Sequence, residues 1–496
     1  MRSHLYRQPI RAAGDRPTGP TSRAVVLGAS LAGLLSARVL ADHVDEVVVV
    51  DRDDLDADLD APRRGVPQGK HTHGLLVRGV DAIEAILPGF TRELISRGAI
   101  QADALSRSRW LMGGNLLTRG PSGLVGLLAS RTLVESQVRR QVRQVPGVRL
   151  LGRHDIDGLL AGPDRSRVTG VRITPRPDPA GPASAAAPET VELLADVVVD
   201  ATGRGSRAPV WFRELGYAPP PEVVVDAQVV YMTRQFEARP GVLDDLDADI
   251  VGTRPPSGRA GVALRQEGGR WTVTLAGQRG EQPPPDLDGY LAFAQSLPTD
   301  GIARIVAGCA PVGEAISYRY PSSRWRRWDR LTARPQGLII IGDAVCSFNP
   351  IYGQGMSSAA HQALRLRELL AAGGADLAGR TATAFASVAS TPWTLATGAD
   401  RRFPGMPAKP LPERILDRYL DRLLEVATTD HEVTVAFGRV LNLVAAPPSL
   451  LAPGIARRVL GPSSAAIVRR ARRERTARTA PRGGPANLRT TALSAG

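Results

Sequence analysis

A glycine-rich stretch near the start of the chain has the residue types and spacing of a pyrophosphate-binding turn. It reads GASLAG from Gly28 to Gly33 and stands between an apolar strand and a helix-like segment. Gly28 permits a tight turn, Gly33 permits close helix–strand packing, and the first N–H groups of the helix can bind phosphate oxygens. Asp51 ends the next apolar strand, where a carboxylate can accept hydrogen bonds from a ribose. We therefore predict that an adenine dinucleotide is bound by Gly28, Ser30, Leu31, Ala32, Gly33 and Asp51, with Ser30 in the place of a middle glycine.

A second stretch, GDAVCSFNPIYGQG at residues 342–355, indicates which dinucleotide this is. It follows an apolar run, so its acid is expected at the carboxyl edge of the same sheet. A carboxylate in that position needs hydrogen-bond donors, and the hydroxyls of a ribityl chain would supply them. The glycines later in the stretch leave a helix N-terminus bare enough to approach a flat ring, and the proline sets the chain direction before it. Since NAD has no ribityl chain, we predict FAD, with flavin-side contacts from Gly342, Asp343, Pro350, Gly353, Gln354 and Gly355.

Motifs for other kinds of catalysis are absent from the sequence. It contains no Ser-His-Asp order, no HExxH and no paired-carboxylate motif, and Cys309 and Cys346 have no CxxC spacing. We therefore expect no metal site and no catalytic side chain that forms a bond to substrate. His71 and His73 are candidate bases for a phenolic substrate, but their position in a loop equally suits contact with the cofactor.

The elements that must position these motifs predict an α/β fold. We expect a Rossmann-like FAD-binding domain of the glutathione-reductase type, made of discontinuous segments, with an inserted mixed or antiparallel β-sheet substrate domain and a C-terminal helical region. Parallel strands are expected at 24–27, 46–50, 191–200 and 338–342, a helix at 31–41, and antiparallel strands within 222–238 and 259–278. The predicted division is a disordered tail at 1–21, the FAD-binding domain at 22–105, 120–213 and 336–390, the substrate domain at 214–335, the helical region at 391–480 and a disordered basic tail at 481–496.

The composition of the 496 residues limits the partners. The net charge is +14, and nine arginines face one acid, Glu474, between Arg457 and Arg482. Such a segment can be a solvated, disordered end, a membrane-surface element or a dock for an acidic partner protein. It lacks the interleaved aromatic residues of nucleic-acid binders, so we expect no nucleic-acid partner. The sequence has no apolar run long enough to span a membrane and no apolar core of a secretory signal, so a cytoplasmic location is expected.

Taken together, the two cofactor motifs resemble those of the class A flavoprotein monooxygenases, the para-hydroxybenzoate-hydroxylase-like superfamily, over roughly residues 22–380. RRGVPQGKHTHGLL at 63–76, YPSSRWRRWDRL at 320–331 and GDAVCSFNPIYGQGM at 342–356 are more closely similar to a bacterial subgroup. That subgroup includes the polyene epoxidases of polyether-ionophore biosynthesis, of the monensin and lasalocid type. Thr202 departs from the superfamily, which has an acid at this position. The resemblance implies further cofactor contacts from Arg52, Arg64, Gln68, Arg131, Gly203 and Met356.

The resemblance implies a reaction in which a flavin hydroperoxide, formed from FAD, NAD(P)H and O2, transfers one oxygen atom. The expected activity is epoxidation of a linear polyene polyketide, free or bound to a carrier protein. An alternative is hydroxylation of an aromatic or terpenoid metabolite. A non-enzymatic alternative is a protein that FAD only stabilises and that docks through its basic tail. A halogenase is disfavoured because Trp325 and Trp328 lack the WxWxIP spacing.

Overall fold

The structure is a computed structural model that describes residues 22–56, 60–177, 189–462 and 464–479. The two predicted disordered tails, at 1–21 and 481–496, lie outside these residues.

The strands form a five-stranded sheet, an eight-stranded sheet and two three-stranded sheets. The five-stranded sheet is entirely parallel, and the eight-stranded sheet is mainly antiparallel. The strands are β1 (Arg23–Leu27), β2 (Glu46–Val50), β3 (Gly74–Leu75), β4 (Ile100–Asp103), β5 (Ser108–Met112), β6 (Asn115–Leu116), β7 (Val125–Leu128), β8 (Val148–Leu151), β9 (His154–Ala161), β10 (Val168–Pro175), β11 (Val191–Leu194), β12 (Val197–Asp200), β13 (Glu222–Glu237), β14 (Ala248–Val251), β15 (Ala260–Gln266), β16 (Arg270–Gln278), β17 (Pro311–Arg326), β18 (Leu338–Ile340) and β19 (Cys346–Ser347).

The helices cover the parallel sheet, pack beside the large sheet and dominate the last part of the described chain. They are α1 (Leu31–Leu40), α2 (Val77–Ile86), α3 (Phe90–Ser96), α4 (Arg131–Arg143), α5 (Ala208–Glu214), α6 (Leu287–Gln295), α7 (Gly301–Gly308), α8 (Gly355–Ala371), α9 (Leu377–Asp400), α10 (Leu411–Val426), α11 (His431–Leu441), α12 (Pro453–Leu460) and α13 (Ser464–Thr479).

The parallel sheet has the strand order β18-β12-β1-β2-β8. Its central strands are runs of valine and other apolar residues that are buried on both faces, as expected for a sheet covered by helices on each side. With its discontinuous segments, the additional sheets and the C-terminal helices, this architecture confirms the predicted fold class.

One predicted strand is wrong as a single element. The run 191–200 forms two strands in different sheets, β11 in a small antiparallel sheet and β12 in the parallel sheet. The break is stabilised at Asp196, whose carboxylate accepts a hydrogen bond of 3.0 Å from the backbone N–H of Arg23. The apolar run therefore continues through a change of sheet that its pattern alone does not indicate.

The eight-stranded sheet draws strands from outside the predicted substrate segment 214–335. Its order is β19-β17-β13-β16-β15-β14-β5-β6, so β5 and β6 come from the unassigned residues 106–119 and β19 follows the parallel strand β18. The predicted boundary at 390 falls inside α9. The large sheet is therefore connected to the parallel sheet at several points of the chain.

The C-terminal helices have an apolar core of their own. Buried side chains of α10, α11, α12 and α13 pack together, and Trp110 and Met112 of β5 pack against them. Among the described residues, no helix is both long and apolar enough to cross a membrane. The C-terminal helices thus form a wall beside the large sheet.

Candidate active site

The carboxyl ends of the parallel strands meet at one edge, where ligands bind in sheets of this kind. The N–H of Gly28, after β1, donates to the carbonyl of Val50 at 2.7 Å, and the N–H of Ala201, after β12, donates to Leu27 at 2.9 Å. The N–H of Ile341, after β18, donates to Asp200 at 3.0 Å. The register therefore brings the turn after β1, Asp51 and the 342–355 stretch to the same edge.

The glycine turn has the geometry that the sequence predicts. Gly28 has φ +99°, and a Cβ there would lie 2.7 Å from the carbonyl oxygen of Ala201. A Cβ at Gly33 would collide with the carbonyl oxygen of Gly28, so α1 approaches β1 too closely for any side chain. Both glycines are therefore required by the backbone, and the N-terminus of α1 is open towards the edge of the sheet.

Asp51 contacts the glycine turn and Arg63, the residue before the predicted Arg64. Its carboxylate accepts a 2.6 Å hydrogen bond from the N–H of Ala29 and lies 3.5 Å from the guanidinium of Arg63. Arg63 also donates to the carbonyl of Ala29 at 3.0 Å. Arg64, for which a cofactor contact is expected, is exposed and does not line the cavity described below, whereas Arg63 does.

Glu135 of α4 connects the arginines near the glycine turn, and the sequence analysis missed it. It is buried and lies 3.2 Å from the guanidinium of Arg131 and 3.1 Å from that of Arg63. It also accepts a 3.1 Å hydrogen bond from Ser30, whose hydroxyl accepts one of 2.7 Å from Arg131. The i,i+4 spacing of Arg131 and Glu135 is a sequence signal for the first of these contacts. The cluster holds Arg131 at the pyrophosphate turn.

Asp343 faces the cavity rather than another side chain. It is exposed only where the cavity opens, and burial by the surrounding protein raises the pKa of its carboxyl, against the charges of Arg131 and Arg204. Arg204, next to Gly203, is held by Ser322 and by the hydroxyl of Ser347 at 2.7 and 2.8 Å. A ribityl chain that donates hydrogen bonds would satisfy the Asp343 carboxylate in this position.

The turn after β12 shows the role of Thr202, which stands where the superfamily has an acid. The Thr202 and Ser206 hydroxyls each donate a 2.5 Å hydrogen bond to Asp200, which is fully buried. Burial raises the pKa of Asp200, and these hydrogen bonds oppose that shift. Asp200 thus holds the turn internally, while Gly203 lines the cavity.

The turn before α8 leaves space for a planar group. Side chains at Gly353 and Gly355 would meet no atom of the described residues within 4 Å. Gln354, the N-cap of α8, donates to the carbonyl of Leu441 at 3.2 Å, whereas its Oε1 is buried and has no hydrogen-bond partner among the described residues. An orphaned acceptor and a bare helix N-terminus together fit the edge of a flavin ring, which presents N–H and C=O groups. The residues present therefore fit FAD.

A buried acid lies behind this turn. Asp400, at the end of α9, accepts hydrogen bonds from Gln278 at 3.1 Å, from Asn349 at 3.2 Å and from the hydroxyl of Tyr352 at 3.2 Å. Burial raises the pKa of its carboxyl to about 6. The hydroxyl of Tyr231 donates to the side chain of Asn349 and accepts from the N–H of Ile351, so the turn is tied to the large sheet. No sequence motif indicated this network.

The two candidate histidines are weak bases in this structure. Nδ1 of His73 lies 2.8 Å from the carbonyl oxygen of His71, and since a carbonyl only accepts, we assign the proton to Nδ1. Burial and the charge of Arg131 lower the pKa of His73 to about 3, and burial lowers the pKa of His71 to about 4. Both rings are therefore neutral at pH 7 and poorly matched to general-base catalysis at that pH.

One continuous cavity of about 1990 Å³ joins these groups to the large sheet and the C-terminal helices. Ligand pockets commonly have about 300–1,000 Å³, so the cavity has room for a dinucleotide and a second ligand. The lining of the cavity as a whole is more apolar than polar. Of the predicted cofactor residues, Gly33 and Arg64 do not line it, and those that do are Gly28, Ser30, Leu31, Ala32, Asp51, Arg52, Gln68, Arg131, Gly203, Gly342, Asp343, Pro350, Gly353, Gln354, Gly355 and Met356.

Two protein sequences are similar to the chain over most of its length. It is 33% identical over 444 residues to the protein Rv3254 of Mycobacterium tuberculosis, covering 86% of this chain and 91% of that protein. It is 27% identical over 383 residues to kynurenine 3-monooxygenase of Salinispora tropica, covering 71% and 73%. No family model matches the chain.

Solved structures with the same fold are distant in sequence. PqsL, a probable FAD-dependent monooxygenase of Pseudomonas aeruginosa, superposes with a TM-score of 0.56 at 18% identity, covering 77% of this chain and 97% of PqsL. The p-nitrophenol 4-monooxygenase PnpA of Pseudomonas putida superposes with a TM-score of 0.58 at 16% identity, covering 85% and 98%. Both relationships concern the fold.

Proposed function

We propose that this chain, which belongs to the same family as the Mycobacterium tuberculosis protein Rv3254 and has the fold of FAD-dependent monooxygenases, is itself an FAD-dependent monooxygenase. NAD(P)H is the transient reductant and O2 the oxidant. One oxygen atom enters the substrate, and the other leaves as water. Bound FAD supplies the electron transfer and oxygen activation. The cradle at Asp343, Gln354 and Gly355, with its orphaned acceptor and free space, supports this proposal.

In this proposal the substrate is a linear polyene polyketide of polyether antibiotic biosynthesis, and the reaction is epoxidation of its alkenes. The observation that carries it is the size and lining of the cavity beyond the cofactor turn. The cavity there extends between the large sheet and the C-terminal helices, and its apolar lining includes Leu395, Leu416, Leu420, Leu424, Leu441 and Leu450. The resemblance to the epoxidase subgroup agrees with an extended apolar substrate.

The side chains have positioning roles in this reaction. Apolar residues hold the alkene and exclude water, and the N-terminus of α8 would stabilise negative charge on a flavin ring bound at the turn before it. Epoxidation needs no base to remove a substrate proton, which agrees with the low pKa values of His71 and His73. Hydroxylation of an aromatic metabolite is the second candidate. It is supported by the rings of Tyr231 and Tyr318, which lie 6.2 and 5.5 Å from His71 and line the cavity.

Substrate-stimulated oxidation of NADPH by the FAD-loaded protein tests the proposal. With linear polyenes, we expect products that gain one oxygen atom per alkene and lose the alkene signals without new hydroxyl groups. New hydroxyl groups on aromatic or terpenoid compounds would favour the second candidate instead. In a parallel reaction, protein reduced with dithionite is mixed with O2 and polyene. This reaction detects oxygenation even if the natural reductant is a separate flavin reductase. Absence of oxygenated product in both reactions would leave only the docking-protein alternative.

For the partner, we propose that exposed arginines of the C-terminal helices contact an acidic carrier protein or an anionic membrane surface. Several arginines of the basic segment are neutralised within the fold, since Arg458 pairs with Asp430 and Arg470 with Glu474. Arg457, Arg469 and Arg473 are exposed and make no ion pair with another described residue. Their combined change to glutamine should lower co-sedimentation with anionic liposomes or turnover of carrier-bound substrate. Unchanged values in both assays would contradict the proposal.

A further inference from the structure

The cavity wall formed by the C-terminal helices carries more positive than negative charge. Three of its cations have an acid of their own: Arg401 lies 2.9 Å from Glu413, Arg402 lies 2.6 Å from Asp421, and Lys409 lies 2.8 Å from Asp417. The charged side chains that line this wall are Arg254, Arg401, Arg402, Lys409, Arg472 and Arg475 against Glu413, Asp417, Asp421 and Glu425.

The other three cations of this wall are Arg472, Arg475 and Arg254. Arg472 and Arg475 share one acid, Glu425, whose Oε1 lies 2.9 and 3.2 Å from their guanidinium groups. Arg254, in the loop after β14, makes no side-chain hydrogen bond or ion pair with any other described residue. Burial and the charge of Arg475 lower the pKa of Arg254, and Asp421, which already pairs with Arg402, opposes this shift.

Arg254 and Arg475 approach each other at Gly114. A Cβ at Gly114 would lie 2.9 Å from Cδ of Arg254 and 3.0 Å from Cδ of Arg475, so both stems pack on this glycine. The two side chains therefore run close together, and the positive charge of Arg475 opposes that of Arg254, a cost that an anion bound by both would remove. Both line the cavity, so the anion would belong to a ligand inside it.

An apolar stretch of wall connects this pair to the cofactor turn. Leu424 lies next to Gly113 and packs with Phe437, Trp110 and Met112. Leu441 accepts the hydrogen bond from Gln354 at the start of α8. A ligand that spans the cavity would therefore place an apolar body along this wall, one end near the cofactor turn and the other near the arginines.

We propose that Arg254 and Arg475 bind an oxyanion, either a carboxylate or a phosphate ester, at one end of the apolar substrate. Guanidinium groups bind both oxyanions in a bidentate manner. The proposal deepens the proposed function by naming a chemical feature of the substrate, and it rests on that function only for the reaction at the other end. The oxyanion holds the molecule at one end so that a bond in its apolar body lies at the cofactor turn.

Calorimetric binding to the full-length, FAD-loaded protein tests the proposal with three matched probes: dec-9-enoic acid, dec-9-enyl phosphate and dec-9-en-1-ol. We expect the acid, the phosphate or both to bind about tenfold or more tightly than the alcohol. Arg254→Gln and Arg475→Gln should each remove most of this preference and leave the affinity for the alcohol unchanged. Arg254→Lys should restore part of it. Arg469→Gln, an exposed arginine of α13 outside the cavity wall, is the matched control.

The probe with the larger dependence on Arg254 identifies the oxyanion. The proposal is overturned if neither anionic probe binds better than the alcohol, if none of the three binds, or if Arg254→Gln weakens all three equally. The melting temperature of Arg254→Gln should be equal to or higher than that of the unchanged protein, because Arg254 makes no ion pair with another described residue and its charge is opposed by that of Arg475. This binding assay needs no oxygenation, so failure of the proposed monooxygenase reaction and failure of the oxyanion site give different results.

Discussion

The guanidinium of Arg131 donates a 2.7 Å hydrogen bond to the hydroxyl of Ser30, which joins helix α4 to the glycine turn. Ser30 stands where dinucleotide-binding turns usually have a glycine. Its side chain therefore has a function of its own: it fixes a cation beside the position expected for the pyrophosphate. Glu135 completes this arrangement from the same helix as Arg131.

Replacement of Arg131 by methionine should weaken FAD binding by about tenfold or more, because a charge-assisted hydrogen bond to the cofactor would be lost. Ser30→Ala should have a smaller effect, since Arg131 keeps Glu135 as a partner. Titration of the apoprotein with FAD, followed by flavin fluorescence, measures both. Arg140→Met is the control, since Arg140 lies on the same helix but pairs with Asp60 on the surface. Equal affinities for Arg131→Met and Arg140→Met would contradict the predicted contact.

Replacement of Asp343 by alanine should cause the purified protein to lose most of its FAD. The carboxylate faces the cavity and accepts no hydrogen bond from another described residue, so the ribityl hydroxyls are its expected donors. The flavin-to-protein absorbance ratio after gel filtration measures retention. Asp81→Ala, on the exposed side of α2, is the control. A yellow and active Asp343→Ala protein would show that this acid does not hold the cofactor.

Replacement of Glu135 by glutamine should lower the free energy of unfolding by about 1–3 kcal/mol, because Arg131 would lose its acid while Arg63 would keep only its longer contacts to Asp51 and Asp53. Chemical denaturation of the apoprotein measures the loss without a contribution from bound FAD. Glu46→Gln is the matched control. Glu46 pairs with Arg23 at a partly exposed site, where such a pair contributes about 0–1 kcal/mol. A loss no larger than that of the control would mean that the cluster does not contribute to stability.

Replacement of Asp400 by asparagine should change the pH dependence of stability. Burial raises the pKa of this carboxyl from 3.8 to about 6, so the folded protein holds the proton more tightly than the unfolded chain. The native carboxyl therefore favours folding most below about pH 4, and that advantage is lost as the pH rises through about 6. Above about pH 6, ionisation of this buried carboxyl lowers the free energy of unfolding by about 3 kcal/mol relative to its value below pH 4. Asparagine retains the acceptor oxygen for Gln278, Asn349 and Tyr352 and cannot ionise.

Melting temperatures of Asp400→Asn and the unchanged protein, measured between pH 4.5 and pH 8, check this. We expect the variant to be the more stable protein at pH 8 and the difference to shrink towards pH 4.5. Asp81→Asn, an exposed acid, serves as the control and should follow the unchanged protein at every pH. Parallel curves for Asp400→Asn and the unchanged protein would contradict the prediction.

The sequence by itself determined the features that depend on neighbouring residues. The glycines of the first turn, Asp51 at the end of β2 and the GQG turn before α8 are local patterns, and each limits the backbone within a few residues. Because the carboxyl ends of parallel strands share one edge, these patterns also predicted that the turns would meet. The fold class and the cofactor chemistry followed from them.

Only the tertiary structure decided which charged side chains face the cavity. Arg63 rather than Arg64 lies beside Asp51. Both arginines are in a loop, and because a loop has no regular side-chain period, the sequence does not indicate which of the two faces the site. Arg254 and Arg475 meet on Gly114, and Asp400 meets Tyr352, across large separations in the chain. The excess of arginine near the C-terminus appears as one basic segment in the sequence, whereas folding neutralises part of it and directs Arg475 into the cavity. Such pairings depend on how distant elements pack, and no local pattern records that packing.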